Sequence, residues 1–359
     1  MRRVLIAVVA VALLAPGALR LEAAPQTRSV ERSVERSAEQ QRTVERSREE
    51  QRSRNEQRRR DSRAEEVERT TRTLNIGADG EINVSNISGD MVVTRGGGHS
   101  ATVEIIKTAR AESAEDAKAL LALVTVDVME RGPRAEIKTR YPSEDDWRRR
   151  GRRNMNVDVD FNITVPAQAR VSLHSISGSL SVRDVAGAIS VDSISGNIKL
   201  ANTGRIATAK TISGNVEVLD TTVDGTLTAS SISGTVAMRK IRARGLNLST
   251  VSGNIEVEDV DSERVDGQSV SGDVMYSGGF EPNGRYEFTS HSGSVKLAID
   301  GKTGFQIEAT SFSGGIRTDF PLTLEGGQRG NKSIRGRYGN GSAILDLTSF
   351  SGSIVITKR

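Results

Sequence analysis

Nine serines, each followed by glycine, recur down this chain at nearly constant intervals, and a column of hydroxyls is the first candidate for chemistry. The pairs are Ser177-Gly178, Ser195-Gly196, Ser213-Gly214, Ser233-Gly234, Ser252-Gly253, Ser271-Gly272, Ser292-Gly293, Ser313-Gly314 and Ser351-Gly352. Successive glycines lie 18, 18, 20, 19, 19, 21, 21 and 38 residues apart, the last interval being twice 19. Rows of hydroxyls resemble nucleophilic or ice-binding arrays, but a serine nucleophile needs a base within hydrogen-bond reach. The chain has three histidines, His99, His174 and His291, and no cysteine. No histidine pair has metal-ligand spacing, and no phosphate loop or dinucleotide fingerprint occurs. The simpler assignment is structural. Stacked serines satisfy backbone groups at a corner, as serine does in turns. Asn197, Asn215 and Asn254, which follow three of the glycines, form a partial corner ladder for the same reason. No cofactor, metal site or catalytic residue is expected.

Carboxylates and arginines are the other chemical candidates. Asp220, Asp224, Asp259, Asp261 and Glu263 fall near the turns of the repeat, where stacking can pair acids for glycoside hydrolysis or for calcium. Scattered surface acids are the ordinary alternative. Two basic clusters carry the better functional clue. One is Trp147, the sole tryptophan, leading into Arg148, Arg149, Arg150, Arg152 and Arg153. The other, within 323–341, holds Arg329, Lys332, Arg335 and Arg337 among six glycines, and it accounts for the doubled last interval. Guanidinium groups bind phosphate and carboxylate, and tryptophan suits a membrane interface. A net charge of +4 is too small to argue for nucleic acid.

The elements that must position these groups follow from the period. An interval near 20 residues is the signature of a solenoid, one coil per repeat. Within a coil, Ile189 and Val191 alternate with polar residues, and so do Ile198 and Leu200, which marks two short strands each with one buried face. The phase slips between them. Placing the bend at Asp192–Ser193 would point Ile194 inward. The expected fold is mainly β, a single-chain parallel β-solenoid of about ten short two-strand coils, roughly 45 Å long at about 4.8 Å per coil. A small α+β cap is expected at its N-terminal end. Its parts are a strand over 101–107, a helix opened by the Ser113/Asp116 capping box, and strands over 125–129, 134–139 and 157–165.

Residues 1–23 read as a secretory signal, with Arg2 and Arg3 before the apolar run Val4–Leu14. Residues 24–72 form an Arg/Glu/Ser-rich segment; from Gln26 to Arg72 there are 14 Arg, 11 Asp plus Glu and no aromatic residue. Such a composition gives either a disordered spacer or a solvated helix held by Glu–Arg pairs. Residues 73–166 hold a first coil, marked by Asn86-Ile87-Ser88-Gly89, and the cap. Residues 167–359 hold the repeat array.

The order Phe161-Asn162-Ile163-Thr164-Val165-Pro166, Val171-Ser172-Leu173, Ser175-Ile176-Ser177-Gly178, and finally Asp319-Phe320-Pro321-Leu322 with Leu345-Asp346-Leu347-Thr348-Ser349-Phe350-Ser351-Gly352, resembles the bacterial "putative adhesin" family of Ser-Gly-repeat β-solenoids. The resemblance spans roughly 74–359. It implies an exported, periplasmic or cell-surface protein without established enzymatic activity, some of whose relatives are linked to envelope stress. Three functions are carried forward. The first is a non-enzymatic envelope scaffold that contacts an anionic component (lipid, lipopolysaccharide or acidic polysaccharide) or an envelope protein. The second is an envelope-stress sensor acting through its charged N-terminal segment. The third is a β-helix carbohydrate-active enzyme.

Overall fold

The computed structural model describes residues 64–143, 156–324 and 332–359. Among them the chain winds into a parallel β-solenoid of ten coils, each made of two strands that meet at the Ser-x-Ser-Gly corner. Numbered along the stack, coils 1 to 7 span 81–95, 170–183, 188–201, 205–219, 226–239, 245–258 and 264–278. Coil 8 spans 285–299. Coil 9 is the C-terminal stretch 343–358, which slots between coil 8 and coil 10, residues 305–318. Sequence order and stacking order therefore part at the end of the array.

Apolar residues line the interior because successive strand residues point to opposite faces. Ile189, Val191, Ile198 and Leu200 of coil 3 are buried, and so are their equivalents above and below. The interior is aliphatic in the first coils and aromatic in the last, where Tyr276, Phe280, Tyr286, Phe288 and Phe305 pack ring against ring. Burial pushes the Tyr286 phenol up to about 12, and its oxygen accepts from the Glu281 amide while donating to the Ser262 carbonyl.

Both ends of the stack carry antiparallel strands, which cover much of the outer coils, although strand Ile316–Thr318 of coil 10 pairs only with coil 9. At the first end, strands Arg134–Arg140 and Val157–Val165 pair in parallel with coil 1. Strand Ala101–Ala111 lies antiparallel on Val157–Val165, and Ala64–Leu74 antiparallel on Ala101–Ala111. Helix Ala114–Leu121 buries Ala117, Leu120 and Leu121, and Ser113 caps it by accepting from the Asp116 amide. At the far end, strand Ser333–Tyr338 runs antiparallel to coil 10 and is itself paired by Thr323–Leu324.

Two expectations need correction. The low-complexity segment placed at 24–72 ends earlier, because Ala64–Leu74 is a strand held along its whole length by Ala101–Ala111. Residues 1–63 lie outside the described residues, as does the expected signal. The bend within the coil is not at Asp192–Ser193. Strand Ala188–Ser195 keeps its alternation through buried Ser193, so Ile194 points outward and is 48% exposed. The chain turns at Ser195–Asn197 instead.

Candidate functional site

Each residue of the repeated corner forms its own column along the stack. The glycine column has a steric cause. A Cβ on Gly196 would lie 2.0 Å from the carbonyl oxygen of Gly178, and one on Gly234 would lie 2.0 Å from that of Gly214. The same approach recurs up to Gly352, which sits under Gly314. Only a residue without Cβ lets successive corners stack this closely.

The serine column that satisfies the corner is not the one expected. The hydroxyls of Ser177, Ser195, Ser213, Ser233, Ser252, Ser271, Ser292, Ser313 and Ser351 lie on the exposed side of the corner. From coil 4 onward the buried position three residues before the glycine does that work, whereas Ser175 donates to the Ser177 carbonyl and the Ser193 hydroxyl has no hydrogen-bond partner. Ser231 donates to the Gly214 carbonyl at 2.9 Å, Ser269 to Gly253 at 3.0 Å, Ser290 to Gly272 at 2.8 Å and Ser349 to Gly293 at 3.0 Å. Thr211 and Thr250 do the same with Gly196 and Gly234. The strand alternation decides which hydroxyl is inside, since it keeps Ser193 in phase with Ile189 and Val191. The partial ladder of Asn197, Asn215 and Asn254 forms as expected. Asn197 accepts from the Asn215 amide at 2.9 Å, Asn215 from Thr235 at 2.8 Å and Asn254 from Asp273 at 3.0 Å.

Between the two serine columns runs a ridge of exposed apolar side chains. In stacking order it reads Ile87, Ile176, Ile194, Ile212, Ile232, Val251, Val270, His291, Phe350 and Phe312. The apolar members are 38–64% exposed. The last three rings are nearly parallel, with His291 and Phe350 centroids 4.7 Å apart and Phe350 and Phe312 again 4.7 Å. The Lys332 ammonium ends the row, 5.9 Å from the Phe312 ring centre. His291 is thus the ridge residue of coil 8. The signal was present in the sequence as Ile, Val or Phe between the two hydroxyl positions of each corner, but the assumed bend turned it inward.

Of the candidate acids, Asp220 and Asp259 sit at the turn that follows the second strand of their coils. Asp184, Asn202, Asp220, Lys240 and Asp259 hold φ between 47° and 61°, the left-handed region that Asp and Asn tolerate best among residues with a Cβ. They form ion pairs or hydrogen bonds along their own column, Asn202 to Asp184 at 2.6 Å and Lys240 to Asp220 at 3.7 Å. Asp259 pairs with Arg359, and Asp261 with Arg242 at 3.1 Å. Asp224 and Glu263 are simply exposed. Among the described residues no group of acids and histidines could hold a metal ion.

One constellation was not anticipated. Ser172 Oγ lies 3.2 Å from His174 Nε2, and His174 Nδ1 lies 3.5 Å from Asp192 Oδ2. The atoms are those of a nucleophile, base and acid. They sit exposed on an open strand face, where neighbouring amides belong to the parallel ladder between coils 2 and 3 and leave no pair of donors for an oxyanion. The group is an exposed histidine–carboxylate contact with a neighbouring hydroxyl.

The basic clusters are anchored far apart. Trp147, Arg148, Arg149, Arg150, Arg152, Arg153 and Arg329 lie outside the described residues. The first cluster connects Arg134–Arg140 to Val157–Val165 at the first end, and the second leads into Ser333–Tyr338 at the far end. Ten coils separate these anchors, roughly 45 Å at the strand spacing. Of the described cations, Lys332 lies at Phe312 and Arg335 pairs with Glu308 at 2.6 Å. A concavity of about 610 Å³ lies on the outer face of coils 5 to 9, near Arg239, Met275, Lys296, Ala298 and Val355. Its charges are matched locally. Arg239 contacts Glu217, Glu256 and Glu258, and Lys296 donates to Asp273, holding that carboxyl below the ordinary range.

Fold and corner geometry define a parallel β-solenoid repeat protein. The chain belongs to the Toastrack DUF4097 family, whose profile matches residues 98–357. No curated protein matches it. Similar solved structures include a "putative adhesin" of Bacteroides fragilis NCTC 9343, 14% identical, with a TM-score of 0.41, covering 81% of this chain and 97% of that one. A "putative adhesin" of Parabacteroides distasonis ATCC 8503 is 10% identical with a TM-score of 0.42, covering 80% and 97%. A "putative lipid binding protein" of the same organism is 12% identical with a TM-score of 0.41, covering 81% and 96%.

Proposed function

We propose that this protein is an exported, non-enzymatic binding scaffold of the cell envelope, of the Ser-Gly-repeat adhesin type. One observation carries the reading. The fold repeats an exposed apolar side chain at the same corner position in nine of ten coils, although nothing in the solenoid interior needs it there. Contiguous apolar surface of this extent marks an interaction site rather than ordinary exposure. The rod is the rigid part, and the ridge is the surface it offers. The basic clusters, Trp147 with Arg148, Arg149, Arg150, Arg152 and Arg153, and Arg329 with Lys332, Arg335 and Arg337, contact an anionic envelope component such as lipid, lipopolysaccharide or acidic polysaccharide.

Co-sedimentation tests both parts. The chain is spun with phosphatidylglycerol vesicles, phosphatidylcholine vesicles and lipopolysaccharide at low and moderate salt. Retention on the anionic particles, weakened by salt and by replacing Arg148, Arg149, Arg150, Arg152 and Arg153 with Ser, is the expected result. Retention that is equal on neutral vesicles, or unaltered in that variant, removes the basic loops from the function. The ridge is tested separately through its partner below.

A further inference from the structure

We propose that the occupant of the apolar ridge is a second copy of this chain. The inference rests on the reading of the ridge as a binding surface, and it names the partner. Three features of the ridge point to it.

The first is period. The ridge presents one apolar group per coil, so its spacing is that of stacked strands, about 4.8 Å. A partner that contacts all ten rungs must carry apolar groups at the same spacing. An identical solenoid carries a row of the same spacing, so its rungs lie against these along the whole length.

The second is charge. A strip built for an anionic bilayer would be bordered by Lys and Arg. One border here is the exposed serine column, Ser177 through Ser313. The other border is Ser85, Ser230, Ser249, Gln268, Thr289, Thr348 and Thr310, with charge only at His174, Asp192 and Lys210. His174 and Asp192 face each other. An apolar core with a neutral, hydrogen-bonding rim is the composition of a protein interface.

The third is area. The ridge runs the whole length of the stack with apolar members 38–64% exposed, and a standard protein interface takes about 800 Å² from each partner. A two-fold pairing uses the same strip on both copies. In its antiparallel form it brings Ile232 of one copy against Val251 of the other, and sets the aromatic end, His291–Phe350–Phe312, against the Ile87–Ile176–Ile194 end.

Sedimentation velocity of the full chain over about 1–100 μM tests this, at or above the micromolar-to-picomolar dissociation constants of interfaces of standard area. The expected result is a dimer. The variant Ile194→Ser/Ile212→Ser/Ile232→Ser should raise the dissociation constant at least roughly 100-fold while melting close to the original protein. Val251→Lys, one charge near the two-fold axis in each copy, gives a second route to the same loss and leaves the interior untouched. A chain that stays monomeric throughout, or variants that dimerise as well as the original, overturns the proposal. If the original chain is monomeric but the ridge variants lose retention on phosphatidylglycerol vesicles at moderate salt, the ridge is a binding surface for lipid and the second copy is excluded. If the ridge variants alter neither assembly nor retention, the binding reading of the ridge falls with it.

Discussion

Two columns of the same corner, two residues apart, follow different rules. The glycine column and the ridge column both recur in every coil. The glycine recurs because the stack leaves no alternative: a Cβ at Gly272 would meet the Gly253 carbonyl at 1.9 Å. The ridge residue meets no such demand. Ile194, Ile212 and Ile232 are nearly half exposed, and serine or threonine there would fit the same backbone. Recurrence forced by packing explains itself. Recurrence at a position the packing ignores points to an outside partner.

Substitutions sharpen the contrast in descending order of their effect on stability. Gly234→Ala puts a Cβ 2.0 Å from a backbone oxygen in mid-stack and should cost more than about 3 kcal/mol or prevent folding, read from the urea midpoint. A loss below about 1 kcal/mol would mean that the coils slide apart easily and that the column is not steric. Ser231→Ala removes the donor to the Gly214 carbonyl and should cost about 1 kcal/mol, whereas Ser233→Ala, on the exposed column, should cost almost nothing. Equal costs for the two would return the corner function to the outer serine.

Asp273→Asn should cost less still, under about 1 kcal/mol, because its partner Lys296 is half exposed. Its pH dependence has a definite sign. The Lys296 hydrogen bond lowers the folded pKa of Asp273, so its stabilisation is present above the ordinary carboxylate value of about 3.9 and fades as pH falls through the lowered one. The difference in melting temperature between the original and D273N should therefore shrink on acidification from pH 7 to pH 3. A difference that grows would contradict the assignment. Ile232→Ser should change stability least, within about 0.5 kcal/mol, while it weakens self-association.

Much of this architecture was legible in the sequence, for physical reasons that differ by element. The period of the glycines carried the solenoid, because one coil must contain one corner. The cap was legible because Ser113 and Asp116 mark a helix start and the flanking apolar residues alternate. The direction of Ile194 was misread because a bend placed three residues early inverts every side chain up to the true corner. Ordinary alternation from Ile189 would have left it outside. The place of coil 9 was hidden, since nothing in residues 343–358 records that they slide between two coils that precede them. The strand Ala64–Leu74 was hidden for a related reason. Its residues are largely polar and exposed, and its partner Ala101–Ala111, not its own pattern, makes it a strand.

The chain has no cysteine, so an introduced thiol is its only one, and this gives the most direct test of the outward ridge. Single variants Ser193→Cys, Ile194→Cys, Ser231→Cys and Ile232→Cys would be exposed in the folded state to a maleimide at low protein concentration. The account predicts fast labelling at 194 and 232, slow labelling at 193 and 231, and protection of the two ridge positions as concentration rises. Fast labelling at 193 and 231, with 194 and 232 protected at every concentration, would place the ridge inside the solenoid and contradict the account.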